Sequence, residues 1–357
     1  MTDAAAASGG SRTALRFGRV PIAAALVLGL TLFAIAYWRG GVLDLPPVPG
    51  GVTVETAGVQ KVGLMRERAR ALESLVNGAA VNGTGLEDDL PLAKAAEGLA
   101  ALRRAEGESG LQKIREALSA VPDDLVIGNA YRMAVLTLRR STLANGASRQ
   151  TFAEHLPAYL EGESVATLER LYREHPSREA GFQLAMAWVD EVLLSPTSDG
   201  RVVAGLASMK LLDEVLAKDP YYLPAICSRG IGYLNPPARV DFIPAWKKTL
   251  RPSPDAASRA LALCVAIGRE VGGGSPEMAG MQALNLGDAY AKEGQPQRAR
   301  SWWQIAQNAS RDAALLEAVR RRYTWQDDDL VDRLEAEREA GMADLDHPLT
   351  DLSLMWR

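Results

Sequence analysis

The apolar positions along this chain follow two different patterns. Residues 20–38 form an uninterrupted apolar run without a charged side chain. As a helix, this run would be about 28 Å long, close to the hydrocarbon thickness of a bilayer. Beyond residue 58, apolar side chains recur at intervals of three and four residues, and segments that alternate in the manner of strands are missing. The chain therefore predicts one transmembrane helix followed by an all-α domain.

Positive charges flank the apolar run unequally. Arg12, Arg16 and Arg19 precede it, whereas Arg39 is the only basic residue in the twenty that follow. Because basic flanks stay on the cytoplasmic side, the tail should remain in the cytoplasm and the bulk of the chain should cross the membrane. The alanine- and arginine-rich composition favours a bacterial source. We therefore expect a single-pass protein of the bacterial inner membrane whose bulk is periplasmic.

A cleaved signal peptide is the alternative interpretation of the same segment. Ala34–Ala36 offers small residues of the kind that precede a cleavage site. The apolar run nevertheless continues into Tyr37 and Trp38, which suit the membrane–water boundary, so an uncleaved anchor is favoured. Both interpretations export the large C-terminal part.

Composition divides the rest of the chain. Leu45–Gly51 is rich in proline and glycine, which predicts a spacer rather than a helix or a strand. The predicted segments are a basic cytoplasmic tail at 1–19, a transmembrane helix at 20–38, a linker at 39–58, a helical domain at 59–345 and an apolar C-terminal tail at 346–357.

Met281–Ala306 carries the pattern of a helix hairpin, and its periodicity predicts helices over 277–293 and 296–309. Small and large residues alternate on either side of a turn, at Leu286, Gly287, Tyr290, Gly294, Ala299, Trp303 and Ala306. This stretch resembles a tetratricopeptide (TPR) repeat, in which small residues let two helices approach closely. The resemblance implies a TPR-like α-solenoid.

Weaker copies of the hairpin pattern lie upstream. Three predicted helices end at Pro122, Pro176 and Pro220, a spacing wider than the family period of about 34 residues. The repeats are therefore predicted to be degenerate. An irregular helical bundle, in which the same apolar residues only fill a core, is the alternative.

Charge and motifs argue against several classes of function. The net charge of −4 argues against nucleic acid as the main partner, because phosphate binding needs a basic face. The three histidines have no ligand spacing, and HExxH, Walker, GxSxG and CxxCH motifs are missing from the sequence. We therefore expect no cofactor, no metal site and no catalytic residue.

The two cysteines, Cys227 and Cys264, lie far apart in sequence and form no metal-binding pattern. We expect two buried free thiols, because an unpaired cysteine behaves as a small hydrophobic residue. A single disulfide in an oxidising compartment is the alternative.

Several residues are candidates for contact with a protein partner. They are Met281, Leu284, Asp288, Lys292, Asn235, Trp246, Arg321 and Trp356. The first four line the concave surface that the TPR resemblance implies, with ordinary solvent exposure as the alternative. Asn235 and Trp246 belong to a proline-rich insertion. Contact with a partner and packing against the protein's own helices are equally good interpretations of this insertion. Arg321 lies in a basic–aromatic run that we expect to pair with the acidic residues 327–329, and Trp356 lies in an apolar tail that docks on the solenoid or on a partner.

These features together favour a membrane-anchored, exported scaffold of helical repeats. Such a scaffold would bind protein or peptide partners during assembly or stabilisation of a membrane or envelope complex. A cell-wall-active enzyme is an alternative, with Glu277 and Glu293 as the acids nearest the concave face. A permanent structural subunit of a large membrane complex is the third interpretation.

Overall fold

The computed structural model describes residues 45–58, 60–78, 89–143, 162–195, 197–236, 244–272 and 275–343. The predicted cytoplasmic tail, transmembrane helix and C-terminal tail, including Trp356, lie outside these residues. Within the described ranges, every helix is too short or too polar to cross a membrane.

The described part of the chain is helical and contains no strand, which confirms the predicted all-α class there. It holds fourteen α-helices and one 3-10 turn. They are α1 Gln60–Val76, α2 Leu90–Arg103, α3 Gly107–Ala120, α4 Leu125–Leu143, α5 Glu163–Glu174, α6 Arg178–Leu194, α7 Ser198–Lys218, α8 Leu223–Leu234, α9 Pro244–Leu250, α10 Ala256–Glu270, α11 Pro276–Lys292, α12 Pro296–Ala309, α13 Ala313–Thr324, the 3-10 turn Asp327–Asp329 and α14 Leu330–Ala343.

Short polar side chains start many of these helices. Each accepts a hydrogen bond from a backbone N–H of the first turn, which would otherwise lack a partner. The capping residues are Asp89 on α2, Ser177 on α6, Thr197 on α7, Ser275 on α11 and Asp312 on α13. Gly294 ends α11 with a φ of 73°, a left-handed conformation that glycine adopts without strain. The predicted helix over 296–309 coincides with α12.

The helices pack as successive hairpins. The most extensive contacts join α2 with α3, α6 with α7, α8 with α10, and α11 with α12. The second helix of one hairpin then touches the first helix of the next, as α7 touches α8 and α10 touches α11. First helices also meet, because α2 and α6 each contact α4, and α11 contacts both α8 and α13. This order of contacts is compatible with a helical-repeat fold.

A glycine allows α11 and α12 to approach closely. A Cβ atom added to Gly287 would lie 2.5 Å from two ring atoms of Trp303 and 3.0 Å from the carbonyl oxygen of Ala299. Trp303 and Ala299 are fully buried. The small and large residues of the TPR-like motif therefore meet inside the hairpin, as the sequence pattern predicts.

Gly287→Ala should destabilise the protein by about 1–3 kcal/mol, because the added methyl group overpacks the contact between α11 and α12. The cost of overpacking should exceed the stability that alanine gains over glycine from its higher helix propensity. Gly232→Ala is the matched control, since its Cβ would meet only the flexible side chain of Met209. Urea denaturation followed by far-UV circular dichroism measures both variants. Equal stability of the two would contradict a close-packed α11–α12 contact.

The end of the predicted linker is docked on the helical domain. The guanidinium of Arg178, on α6, donates to the carbonyl oxygens of Glu55 and Thr56 at 3.1 and 3.4 Å. The backbone N–H of Leu223, on α8, donates to the carbonyl oxygen of Ala57 at 3.1 Å, and Ala57 is fully buried. Residues 53–58, which we call the strap, therefore tie the start of the described chain to two helices far along the sequence.

The two cysteines form a disulfide, so the prediction of free thiols was wrong. Cys227 lies on α8 and Cys264 on α10, and their Cα atoms are 5.3 Å apart. Both side chains are buried where these two helices form a hairpin. Helix packing brings together two residues whose separation of 37 in sequence gives no sign of proximity.

Cys227→Ala together with Cys264→Ala should lower the stability by about 3–4 kcal/mol, because the bond closes a loop of this length in the unfolded chain. Urea denaturation with and without reductant measures the loss of stability. Reductant should lower the free energy of unfolding of the parent protein and leave that of the double variant unchanged. Alkylation of the protein, unfolded without reductant, should label no cysteine, and full labelling would contradict the disulfide.

Candidate partner-binding surface

Buried ion pairs join the first helices of successive hairpins. Arg132, on α4, donates from Nε and Nη2 to the two carboxylate oxygens of Asp190, on α6, at 2.8 and 2.7 Å. The two side chains are only 1% and 4% exposed. Burial raises the pKa of Asp190, and the charge of Arg132 opposes that shift. This pair therefore belongs to the core between α4 and α6 and offers no surface to a partner.

A second buried pair joins three helices near the C-terminal end. The carboxylate of Asp288, on α11, accepts two hydrogen bonds from Arg322, on α13, at 2.7 Å each. It also accepts a hydrogen bond from the indole N–H of Trp303, on α12, at 2.9 Å. Asp288 and Arg322 are both buried. The carboxylate thus fixes α12 and α13 against α11 through charged and neutral donors.

One helical turn further along α11, Lys292 contacts α14. Its ammonium group lies 2.7 Å from a carboxylate oxygen of Glu335 and donates to the carbonyl oxygen of Leu234 at 2.8 Å. Burial lowers the pKa of Lys292, and Glu335 opposes this effect. Burial alone would raise the pKa of Glu335, but Lys292 and Arg338 outweigh it and hold the pKa below its ordinary value. The pair therefore joins α11 to α14 through partly buried side chains.

The four predicted residues of α11 do not form an open surface. Met281 is half-buried, Leu284 and Asp288 are buried, and Lys292 is paired with Glu335. Both α13 and α14 contact α11, where Arg322 pairs with Asp288 and Glu335 pairs with Lys292. The alternative of ordinary solvent exposure is therefore wrong for Leu284 and Asp288, which are buried, whereas contact of these four residues with a partner stays a prediction.

The insertion after α8 is partly integrated into the domain. Asn235 is half-buried, and Trp246 packs as a partly buried side chain against the apolar core. The carbonyl oxygen of Pro236 accepts a hydrogen bond from Arg338, on α14, at 2.7 Å. The described ends of the insertion thus pack against the protein's own helices, which agrees with the structural interpretation of this segment.

Arg321 pairs within the chain, although with a different acid from the one expected. It forms an ion pair with Glu337, on α14, at 2.5 Å. Asp327, the first of the acidic residues 327–329, pairs instead with Arg300, on α12. Within the basic run, Arg321 and Arg322 thus pair with α14, whereas Arg320 pairs with Glu317 on its own helix.

The acids of the enzyme alternative lie far apart. Glu277 is in the first turn of α11 and Glu293 follows its last residue, so the helix rise separates them by about 24 Å. Paired acids in glycosidases lie roughly 5–10 Å apart. Burial raises the pKa of Glu293, and a hydrogen bond with Ser258 opposes the shift. These two residues do not form one catalytic pair, and the described residues hold no cluster of ligands that could bind a metal ion.

The arrangement brings together charged groups that the sequence did not single out. Glu335, Glu337 and Arg338 of α14 contact α11, α13 and the end of α8. The sequence pattern that accompanies these charged residues is a pair of leucines, Leu330 and Leu334, which lie one helical turn apart on α14 and are buried. That pattern predicts an amphipathic helix but does not identify the surface that it covers.

Comparison of the chain with protein-family models, with curated proteins and with solved structures finds no match.

Asp288→Asn should cost about 1.5–3 kcal/mol of stability, because the buried guanidinium of Arg322 loses the carboxylate that accepts two of its hydrogen bonds and keeps Glu337 as its acidic partner. Asp327→Asn is the matched control, since it removes an acid from a partly exposed pair with Arg300 and should cost no more than about 1 kcal/mol. Urea denaturation of the two variants measures the difference. A similar small loss in both would contradict the structural role of Asp288.

Proposed function

We propose that this protein is a membrane-anchored, exported scaffold of TPR-like helical repeats that binds protein partners. Its role would be the assembly or stabilisation of a membrane or envelope complex. The observation that carries the proposal is the α11–α12 hairpin, in which Gly287 packs against Trp303 at the positions that the TPR resemblance requires. Stacked hairpins of this kind expose extended surfaces, which suit binding to peptides or to other proteins.

The disulfide supports the export of the helical domain. Cys227 and Cys264 pair across the α8–α10 hairpin. Structural disulfides persist in oxidising compartments such as the bacterial periplasm and are rare in the cytoplasm. The bond therefore agrees with the orientation that the basic residues before the apolar run predict.

The strap attaches the last residues of the predicted linker to the repeats. Arg178 holds the backbone of Glu55 and Thr56, and its guanidinium lies 4.9 Å from the ring centre of Tyr222. Residues 53–58 are therefore secured to α6 and α8. A scaffold held in this way would stay close to other membrane proteins, and its effective concentration towards them would be raised.

Protease added to spheroplasts tests the topology. The large helical fragment should be digested without lysis, while a cytoplasmic marker stays intact until the cells are opened. A fragment that resists protease in intact spheroplasts and is digested after lysis would contradict export, and the scaffold role outside the cytoplasm would fail with it.

Affinity purification of the full chain from detergent-solubilised membranes tests the binding function. Defined protein partners should be recovered from cells that express the tagged chain and be absent from an untagged control. Recovery of no partner, together with hydrolysis of an envelope polymer by the purified chain, would overturn the scaffold proposal in favour of the enzyme alternative.

A further inference from the structure

Helix α14 does not extend the series of hairpins. It packs on α11, and Glu337 joins it to α13, the helix before it, through ion pairs with Arg321 and Arg322. It therefore lies against the first helix of the α11–α12 hairpin.

Complementary charges hold α14 in this position. Glu335 pairs with Lys292 at 2.7 Å, and Glu337 pairs with Arg321 and Arg322 at 2.5 and 2.9 Å. Two carboxylates on the covering helix thus face three cations on the covered surface.

Among the side chains of α14 that the structure describes, residues 330–338, two leucines are buried. Leu330 and Leu334 are buried, whereas the three residues between them, 331–333, are exposed. Along α14, two buried leucines are followed by two paired carboxylates, in the order Leu-x3-Leu-Glu-x-Glu.

We propose that α14 occupies, within its own chain, a docking surface for an acidic amphipathic helix of a protein partner. This α11 docking surface consists of Lys292, Arg321, Arg322 and the carbonyl oxygens of Leu234 and Pro236. The inference rests on the scaffold function proposed above and names the chemistry of its partner, which is a helix with two leucines one turn apart and carboxylates that follow them.

Occupation by α14 also sets how tightly such a partner would bind. Because α14 is part of the same chain, its effective concentration at the α11 docking surface is high. A partner can bind only in the fraction of molecules whose surface is open, so the apparent affinity falls by that fraction. Variants that release α14 should therefore bind the same helix more tightly.

The test uses the full chain and, as the probe, a fluorescent peptide with the sequence of residues 326–343 and blocked ends. Leu334→Asp removes a buried leucine and should release α14, whereas Val331→Asp, on the exposed side of the same helix, is the matched control. Fluorescence anisotropy should show peptide binding at least tenfold tighter to the Leu334→Asp chain than to the parent or the Val331→Asp chain.

A charge reversal tests whether the peptide binds at the same place. Adding Lys292→Glu to the Leu334→Asp chain should weaken binding of the peptide at least tenfold. A peptide carrying Glu335→Lys should recover that loss, because it restores an opposite charge at this contact.

A second route to release guards against misfolding of the Leu334→Asp chain. Glu335→Lys in the full chain places like charges at Lys292 and leaves both leucines in place, so it should also increase binding of the unmodified peptide. If neither released chain gains binding, or if Lys292→Glu has no effect, the proposed surface is overturned. That result would leave partner recovery from membranes, and with it the scaffold function, unaffected.

Discussion

The rest of this structure depends on the close approach of paired helices. A single amphipathic helix cannot bury its apolar stripe alone, so each must press against a neighbour. Gly287 lets α11 reach the ring of Trp303, and Gly98 lets α2 reach Ile114 on α3 in the same way. Each hairpin still leaves one side exposed, which the next hairpin covers. The stack is thus built from local pairs whose stability comes from contact with the following pair.

Buried charges determine how the hairpins meet. Arg132 with Asp190 and Asp288 with Arg322 each bridge helices from different hairpins, at distances of 2.7–2.8 Å. Apolar contacts tolerate small shifts along a helix, whereas an unpaired buried charge is costly. These pairs therefore favour one arrangement of neighbouring helices over others that would bury similar apolar area. The buried pair of Asp288 with Arg322 also explains why α11 contains a charged residue at a position where the sequence alone predicts a binding surface.

Much of the local structure could be predicted because its causes are local. The helix at 296–309 and the turn at Gly294 follow from apolar periodicity and from one glycine. The burial of Asp288 could not be predicted, because its partner Arg322 lies on α13, 34 residues further along the chain. The partner of Arg321 could not be found from charge patterning, since Glu337 becomes its neighbour only after α14 folds back. The disulfide was missed for the same reason, as its two cysteines meet through the α8–α10 contact.

The sequence by itself determined the helical class of the described domain, the extent of α11 and α12 to within a residue, and the small and large residues that pair inside their hairpin. Those features depend on periodicity, capping and turn residues within a few positions of one another. Only the tertiary structure decided that Cys227 and Cys264 pair, that the strap reaches α6 and α8, and that α14 covers α11. These contacts join residues tens of positions apart or more. Their proximity arises from the way the helices stack, which no local pattern of side chains encodes.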